Sequence, residues 1–271
     1  MTGAEPTVLA RLVAAGLEGR EARWLIEEFG SDTDALDGAI ARRLAGEPLQ
    51  YVIGHWPFRG LDLDVDARAL IPRPETEELV GHAIDALAQA TSPAPVVLDL
   101  GCGTGAIGLS ILAELAERGV SATLIAVDES REALALCRQN AIKHGLYAVS
   151  FVAGSWYEGL DGSLAGRVDL VVSNPPYVGE VERASLDPVL DYEPSGALVA
   201  PDAEGVAGFA DLATVIAGAP FWLARGGALV VEHGEGQREA VRRAAFGAGL
   251  RDVVDYDDLA GRPRVLVARR P

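Results

Sequence analysis

The sequence predicts an α/β protein built on a mostly parallel sheet with helices on both faces. Three observations carry this. From Val96 onwards, short apolar runs alternate with helical stretches. The runs are close to continuously apolar, as in Val168-Asp169-Leu170-Val171-Val172, which suits strands covered on both faces. A glycine-rich turn, Gly101-Cys102-Gly103-Thr104-Gly105, joins the first run to the helix after it.

Ahead of that alternation the chain reads differently. Residues 7–46 read as helices. Val8, Leu9, Leu12 and Val13 share one side of the first, and Gly16 weakens its end. Trp24, Leu25, Ile26 and Phe29 mark a second, with Gly30 as its stop. A third opens on the capping residues Ser31 and Asp32 and closes with Arg42, Arg43 and Gly46. This expected small helical domain, 1–46, either adds stability or docks a substrate. Residues 47–73 hold Tyr51, Val52, Ile53, Trp56 and Phe58, then alternating Leu61, Leu63 and Val65, punctuated by Gly54, Pro57 and Gly60. They read as a β-hairpin linker. Pro72 and Pro74 disfavour helix until Glu75, after which Thr76, Glu77 and Glu78 start one.

The third unit spans 74–271. Strands are predicted at 96–100, 123–128, 149–153, 168–174 and 227–233. Helices are predicted near 105–118, 130–144, 206–224 and 237–247. Two last strands, "RDVVDY" and "RVLVARR", have no helix between them and are expected to pair antiparallel. That makes seven strands.

Composition narrows the function. At 49% hydrophobic residues the chain can build a sizeable core. Its formal net charge of −17 is wrong for a non-specific nucleic-acid binder, which must neutralise phosphates. Cys102 and Cys137 have no Cys-x-x-Cys or Cys-His neighbourhood, so no metal site is expected. The N-terminal residues lack the pattern of a signal peptide, and no apolar run reaches the roughly 18–20 residues that span a bilayer. A cytoplasmic protein with free thiols, not bound to membrane, is expected.

The glycine loop lies where ligands bind in such sheets, at the carboxyl end of a strand. Its G-x-G-x-G spacing differs from dinucleotide and triphosphate loops. Asp99 in front of it suits an ammonium better than a pyrophosphate. Asp128, at the end of the next strand, can accept from both hydroxyls of a ribose. Together these point to S-adenosylmethionine.

The fourth strand ends in Ser173-Asn174-Pro175-Pro176-Tyr177. Each proline holds the residue before it extended and donates nothing to a ladder. The Pro175 carbonyl and the Asn174 Oδ1 are then two convergent acceptors, suited to both hydrogens of one –NH₂ group. Tyr177 can stack over a flat amide or base.

With these motifs the chain resembles the class I S-adenosylmethionine-dependent methyltransferases, and more narrowly the release factor glutamine N5-methyltransferases. The segments "RRLAGEPLQYVIG", "LIPRPETEELV", "LDLGCGTGAIGLS", "VSNPPYV", "EPSGALVAPDAEG", "EHG" and "DLAGRPRVLVA" carry the resemblance over nearly the whole chain. It implies a seven-stranded Rossmann-like methyltransferase sheet. It also implies methyl transfer to the side-chain amide nitrogen (N5) of the Gln in the Gly-Gly-Gln motif of class I peptide chain release factors. The cofactor site carries over to Gly101, Cys102, Gly103, Thr104, Gly105, Asp128, Trp156 and Asn174. The substrate amide carries over to Asn174, Pro175, Pro176 and Tyr177, with Asn174, Pro175 and Tyr177 as the catalytic set. Family members often carry an Asp where this chain has Ser155, which leaves open how the adenine amino group is held. Trp156 is read as an adenine contact or a core residue. Arg73, Thr76 and Glu77 either shape the pocket or cap a helix. Glu232-His233-Gly234 reads as structural. Adenine-N6 methylation of DNA is the alternative, opposed by the charge and by the absence of a basic recognition segment. A monomer is expected.

Overall fold

In the computed structural model, which describes residues 8–89 and 92–271, the first elements are helices α1 (Val8–Ala14), α2 (Gly19–Phe29) and α3 (Thr33–Leu44). The Asp32 carboxylate caps α3, accepting from Asp34 and Ala35 N–H at 3.1 Å, and Arg42 and Arg43 lie in its last turn. Leu12, Leu25, Leu36 and Leu49 gather into a small apolar core of their own.

Tyr51, Val52 and Ile53 are not in a strand. They belong to a short helix, α4 (Leu49–Ile53), entered at Pro48 and stopped by left-handed Gly54 (φ 88°). The Arg42 guanidinium donates to the Tyr51 and Val52 carbonyls at 2.9 and 3.3 Å, satisfying groups that a helix end leaves open. The hairpin is confined to β1 (His55–Phe58) and β2 (Leu61–Asp64). Arg59 and Gly60 turn it with positive φ (45° and 82°), the geometry of a tight two-residue hairpin loop.

Helix α5 (Pro74–Ala88) starts on proline at its first position, where no N–H is needed. Then follow β3 (Val96–Leu100), α6 (Ala106–Glu117), β4 (Thr123–Asp128), α7 (Arg131–Lys143), β5 (Val149–Ala153) and β6 (Val168–Ser173). After a one-turn helix α8 (Glu180–Arg183) come α9 (Ala210–Trp222), β7 (Leu223–Glu232), α10 (Arg238–Gly247), β8 (Arg251–Asp257) and β9 (Pro263–Arg269). Helix α9 is shorter than the predicted 206–224. Ala203 and Val206 pair in an isolated bridge instead, and Leu223 already pairs with Val168 across a register shift.

The seven strands run in the order β5-β4-β3-β6-β7-β9-β8. All neighbours are parallel except those of β9, which lies antiparallel between β7 and β8. Side chains alternate between two buried layers. Val97, Leu124, Leu170 and Val230 pack with α5, α6 and α7. Leu98, Leu100, Val171 and Leu229 pack with α9 and α10. The strand order reverses between β3 and β6, so a crevice opens at their carboxyl ends. No helix among the described residues is long and apolar enough to cross a membrane.

Candidate active site

Register brings the motifs to that crevice. Leu100 pairs with Val127 on one side and Ser173 on the other, and Asp128 pairs with Ala153. The segments beginning at Gly101, Glu129, Gly154 and Asn174 therefore leave the sheet along one edge. The Ser173 hydroxyl donates to the Leu100 carbonyl at 2.7 Å and locks two of them together.

Gly101, Gly103 and Gly105 all take left-handed φ (73°, 53° and 85°), which residues with a Cβ adopt at a cost. The loop they form folds back on β4: Gly101 and Cys102 N–H donate to the Val127 carbonyl at 2.9 Å. The backbone is thus bare where it faces the crevice. A cavity of about 630 Å³ lies above it, large enough for a nucleoside with a side chain.

Gly101, Cys102, Gly103, Thr104, Asp128, Trp156, Asn174 and Pro176 all border this cavity. Gly105, Pro175 and Tyr177 do not. Gly105 caps α6 from beneath, where a Cβ would lie 2.7 Å from the Cys137 sulfur. Pro175 is buried, and among the described residues no donor reaches its carbonyl. Tyr177, expected over the substrate, instead packs into the layer below. Its hydroxyl donates to Glu232 Oε1 at 3.1 Å, and burial, with the Glu232 charge, pushes its phenol well above the usual range. Cys102 and Cys137 are both free and buried.

Asp128 does two things. Its Oδ2 accepts from Gly103 N–H and its Oδ1 from Ser130 N–H, each at 2.9 Å, so it fastens the loop. Each oxygen keeps a lone pair, and burial raises the pKa against those two hydrogen bonds. Asp99 differs from expectation. It is fully buried, accepts from Gly108 N–H at 2.9 Å and does not border the cavity.

At the β5 end, Trp156 holds positive φ (50°), a strained backbone for so large a residue. Its ring lies 3.6 Å from where a Cβ on Gly101 would be, and its indole N–H donates to Asp211 Oδ1 at 3.2 Å. Asp211 and Ser155 border the cavity too, and burial raises the Asp211 pKa.

The opposite wall is a loop the sequence reading did not assign. Glu193 is buried; its Oε2 accepts from Ile71 N–H at 2.9 Å and its Oε1 from the Arg73 guanidinium at 2.5 Å. Pro194 to Ala197 are thereby held over the cavity against "IPRP". The signal was present in "EPSGALVAPDAEG", but Glu193 lies 120 residues from Arg73 and nothing local reveals the pair.

The Asn174 side chain donates from Nδ2 to Thr76 Oγ1 at 3.2 Å. Its Oδ1 remains for the cavity. The arrangement offers a bare-backbone floor, a carboxylate with spare lone pairs, an aromatic wall and an amide acceptor in one concave site.

A family model described as a methyltransferase domain matches residues 92–246. A release factor glutamine methyltransferase from Bordetella pertussis is 40% identical over 268 residues, covering 96% of this chain and 93% of that protein. One from Burkholderia pseudomallei is 41% identical over 272 residues, covering 97% and 91%. Among solved structures, a methyltransferase from Pyrococcus furiosus superposes with a TM-score of 0.53 at 18% identity, covering 78% of this chain and 89% of that one. A ribosomal protein L11 methylase from Lactobacillus delbrueckii subsp. bulgaricus gives 0.52 at 19%, covering 75% and 82%. At such identities the two structures bear on the fold alone.

Proposed function

The chain belongs to the release factor glutamine methyltransferase family, and on that premise we propose that it methylates the side-chain amide nitrogen (N5) of the glutamine in the Gly-Gly-Gln motif of class I peptide chain release factors. It is an S-adenosylmethionine-dependent methyltransferase. The observation that carries the glutamine reading is Asn174, which borders the cavity beside the glycine loop and commits its Nδ2 to Thr76, leaving Oδ1 as an acceptor.

The residues fit the cofactor. Gly101 to Gly105 leave room for a ligand at van der Waals distance from backbone, since the glycines bordering the cavity project no side chain. Asp128 has lone pairs for ribose hydroxyls, and Trp156 presents an apolar face for adenine. When bound, S-adenosylmethionine supplies an electrophilic methyl group.

The substrate nitrogen is conjugated with its carbonyl and is a weak nucleophile. Asn174 Oδ1 accepts one of its hydrogens and helps turn its lone pair outward, whereas Pro175, which does not border the cavity, shapes the strand end behind it. The same oxygen stabilises positive charge growing on the nitrogen, whose surplus proton leaves to solvent. Pro176 forms part of the wall. Tyr177 supports the strand end from below rather than stacking on substrate. We assign helices α1–α3 to docking the release factor, the β1–β2 segment to linking, and residues 74–271 to catalysis.

Labelled methyl from S-adenosylmethionine is expected on a class I release factor and not on duplex DNA. Labelling that survives replacement of the motif glutamine overturns the substrate reading. Asn174→Ala is expected to bind cofactor and lose about 10²-fold in kcat, the usual loss for one preorganised polar group. A wild-type rate overturns the role of Asn174.

A further inference from the structure

Asn174 can help only if its oxygen, and not its –NH₂, faces the substrate. An amide has two nearly isosteric orientations, and something must choose between them. Below Asn174 lies a chain of hydrogen bonds that runs one way. Asn174 Nδ2 donates to Thr76 Oγ1 at 3.2 Å, and Thr76 Oγ1 donates to Glu232 Oε2 at 2.8 Å. Tyr177 donates to the other oxygen, Glu232 Oε1, at 3.1 Å. Thr76 and Glu232 are 3% and 1% exposed, so water does not compete for these groups.

The chemistry of the groups fixes the direction. With Glu232 ionised, the form that the Thr76 and Tyr177 bonds and the Arg264 charge favour, its carboxylate accepts and does not donate. The single proton of the Thr76 hydroxyl is therefore committed to Glu232. Thr76 Oγ1 is left as a pure acceptor towards Asn174, and only the –NH₂ of Asn174 can meet it. The reverse orientation would set two oxygens against each other in a buried site. Burial raises the Glu232 pKa, while the Thr76 bond, the Arg264 charge and the Tyr177 bond act against that rise.

Resting on the assignment of Asn174 as the acceptor for the substrate amide, we propose that Thr76 and Glu232 are positioning residues that set the orientation of the Asn174 amide and so select an –NH₂-bearing substrate. Thr76 comes from "IPRPETE" and Glu232 from "EHG", 156 residues apart. No side chain caps α5, and Thr76 borders the cavity, so the pair is neither a helix cap nor core packing alone. It polarises a three-residue relay whose exposed end is the catalytic acceptor. Glu232→Gln keeps the shape and breaks the rule, because its amide can donate to Thr76, free the Thr76 proton for Asn174 Oδ1 and invert the relay.

The test compares Asn174→Ala, Thr76→Val, Thr76→Ser and Glu232→Gln with the wild type. It uses a class I release factor and labelled S-adenosylmethionine, with cofactor affinity and melting temperature measured on each protein. Thr76→Val and Glu232→Gln are expected to lose about tenfold in kcat, with KM for the release factor and cofactor Kd within about twofold. Thr76→Ser, which retains the hydroxyl, is expected to recover most of the Thr76→Val loss. If Asn174→Ala is inactive while Thr76→Val and Glu232→Gln keep wild-type kcat, the relay is overturned. A fall in melting temperature and cofactor affinity in step with kcat overturns it as well, since that marks a structural role. Should Thr76→Val fail to fold, the near-isosteric Glu232→Gln carries the test. A wild-type rate in Asn174→Ala instead removes the acceptor reading on which the relay rests.

Discussion

Asp99 shows how much one side chain's direction decides. Alternation along β3 sends Leu98 and Leu100 to the α9 layer and Asp99 to the α6 layer. There it meets Gly108, where a Cβ would lie 2.7 Å from its Oδ2. Its Oδ1 has no partner among the described residues. Burial pushes its pKa to about 7, against the Gly108 bond and with help from the Asp128 charge. An unfolded aspartate titrates near 3.9, so the folded state binds more protons from about pH 4 upwards. Stability attributable to this group is full below that pH and is lost as pH rises through about 7. Asp99→Asn is thus expected to raise the melting temperature of the cofactor-free protein by a few degrees at pH 8 and much less at pH 5. Equal shifts at both pH values would show that the charge is not the cause. The sequence made Asn174, Asp128 and the glycines legible because each stands at a strand end, where position alone implies an edge. It misled at Asp99 and Tyr177 because a motif does not say which face a side chain takes.

The elements that frame the site are joined by a few buried polar contacts. Asn140 on α7 is fully buried and makes three of them. It accepts from Asp64 N–H at 2.7 Å and donates to the Asp64 and Thr104 carbonyls at 3.0 and 2.9 Å. One amide therefore ties β2, α7 and the glycine loop together. Asn140→Ala is expected to cost about 2–3 kcal/mol, because the buried Thr104 carbonyl and the half-buried Asp64 carbonyl and N–H lose their partner. It should also weaken cofactor binding severalfold, as the Thr104 backbone is released. Denaturant midpoints and titration calorimetry check the two effects. Unchanged affinity would mean the glycines alone set the loop. Strands with continuous apolar runs were readable in advance, and β3, β4 and β5 lie where expected. Tyr51-Val52-Ile53 was not readable, because a run that short fits a strand or a buried helical turn equally well. Pro48 and Gly54 decided it, through the helix ends they supply.

Across the molecule, rigidity and exposure are unevenly shared. β3, β6 and most of β7 are buried along their length, whereas residues 180–187 are nearly all exposed. Hydrogen exchange is expected to be slowest in those strands and faster by orders of magnitude across 180–187, next to the Glu193-anchored wall. Comparable protection in both would overturn that ranking. The seven-strand layout was legible as a whole, but the place of β9 was not: the sequence suggested a terminal hairpin, and the hairpin inserts its second strand against β7. That insertion bears on how the chain is made. During synthesis β7 emerges well before β9, its neighbour at that edge. A nascent chain that has not yet reached Pro263–Arg269 carries Ala228-Leu229-Val230-Val231 as an open, apolar strand edge. Stalled or prematurely ended translation of this protein would thus leave an aggregation-prone product, a hazard that falls on a chain whose proposed substrates end translation.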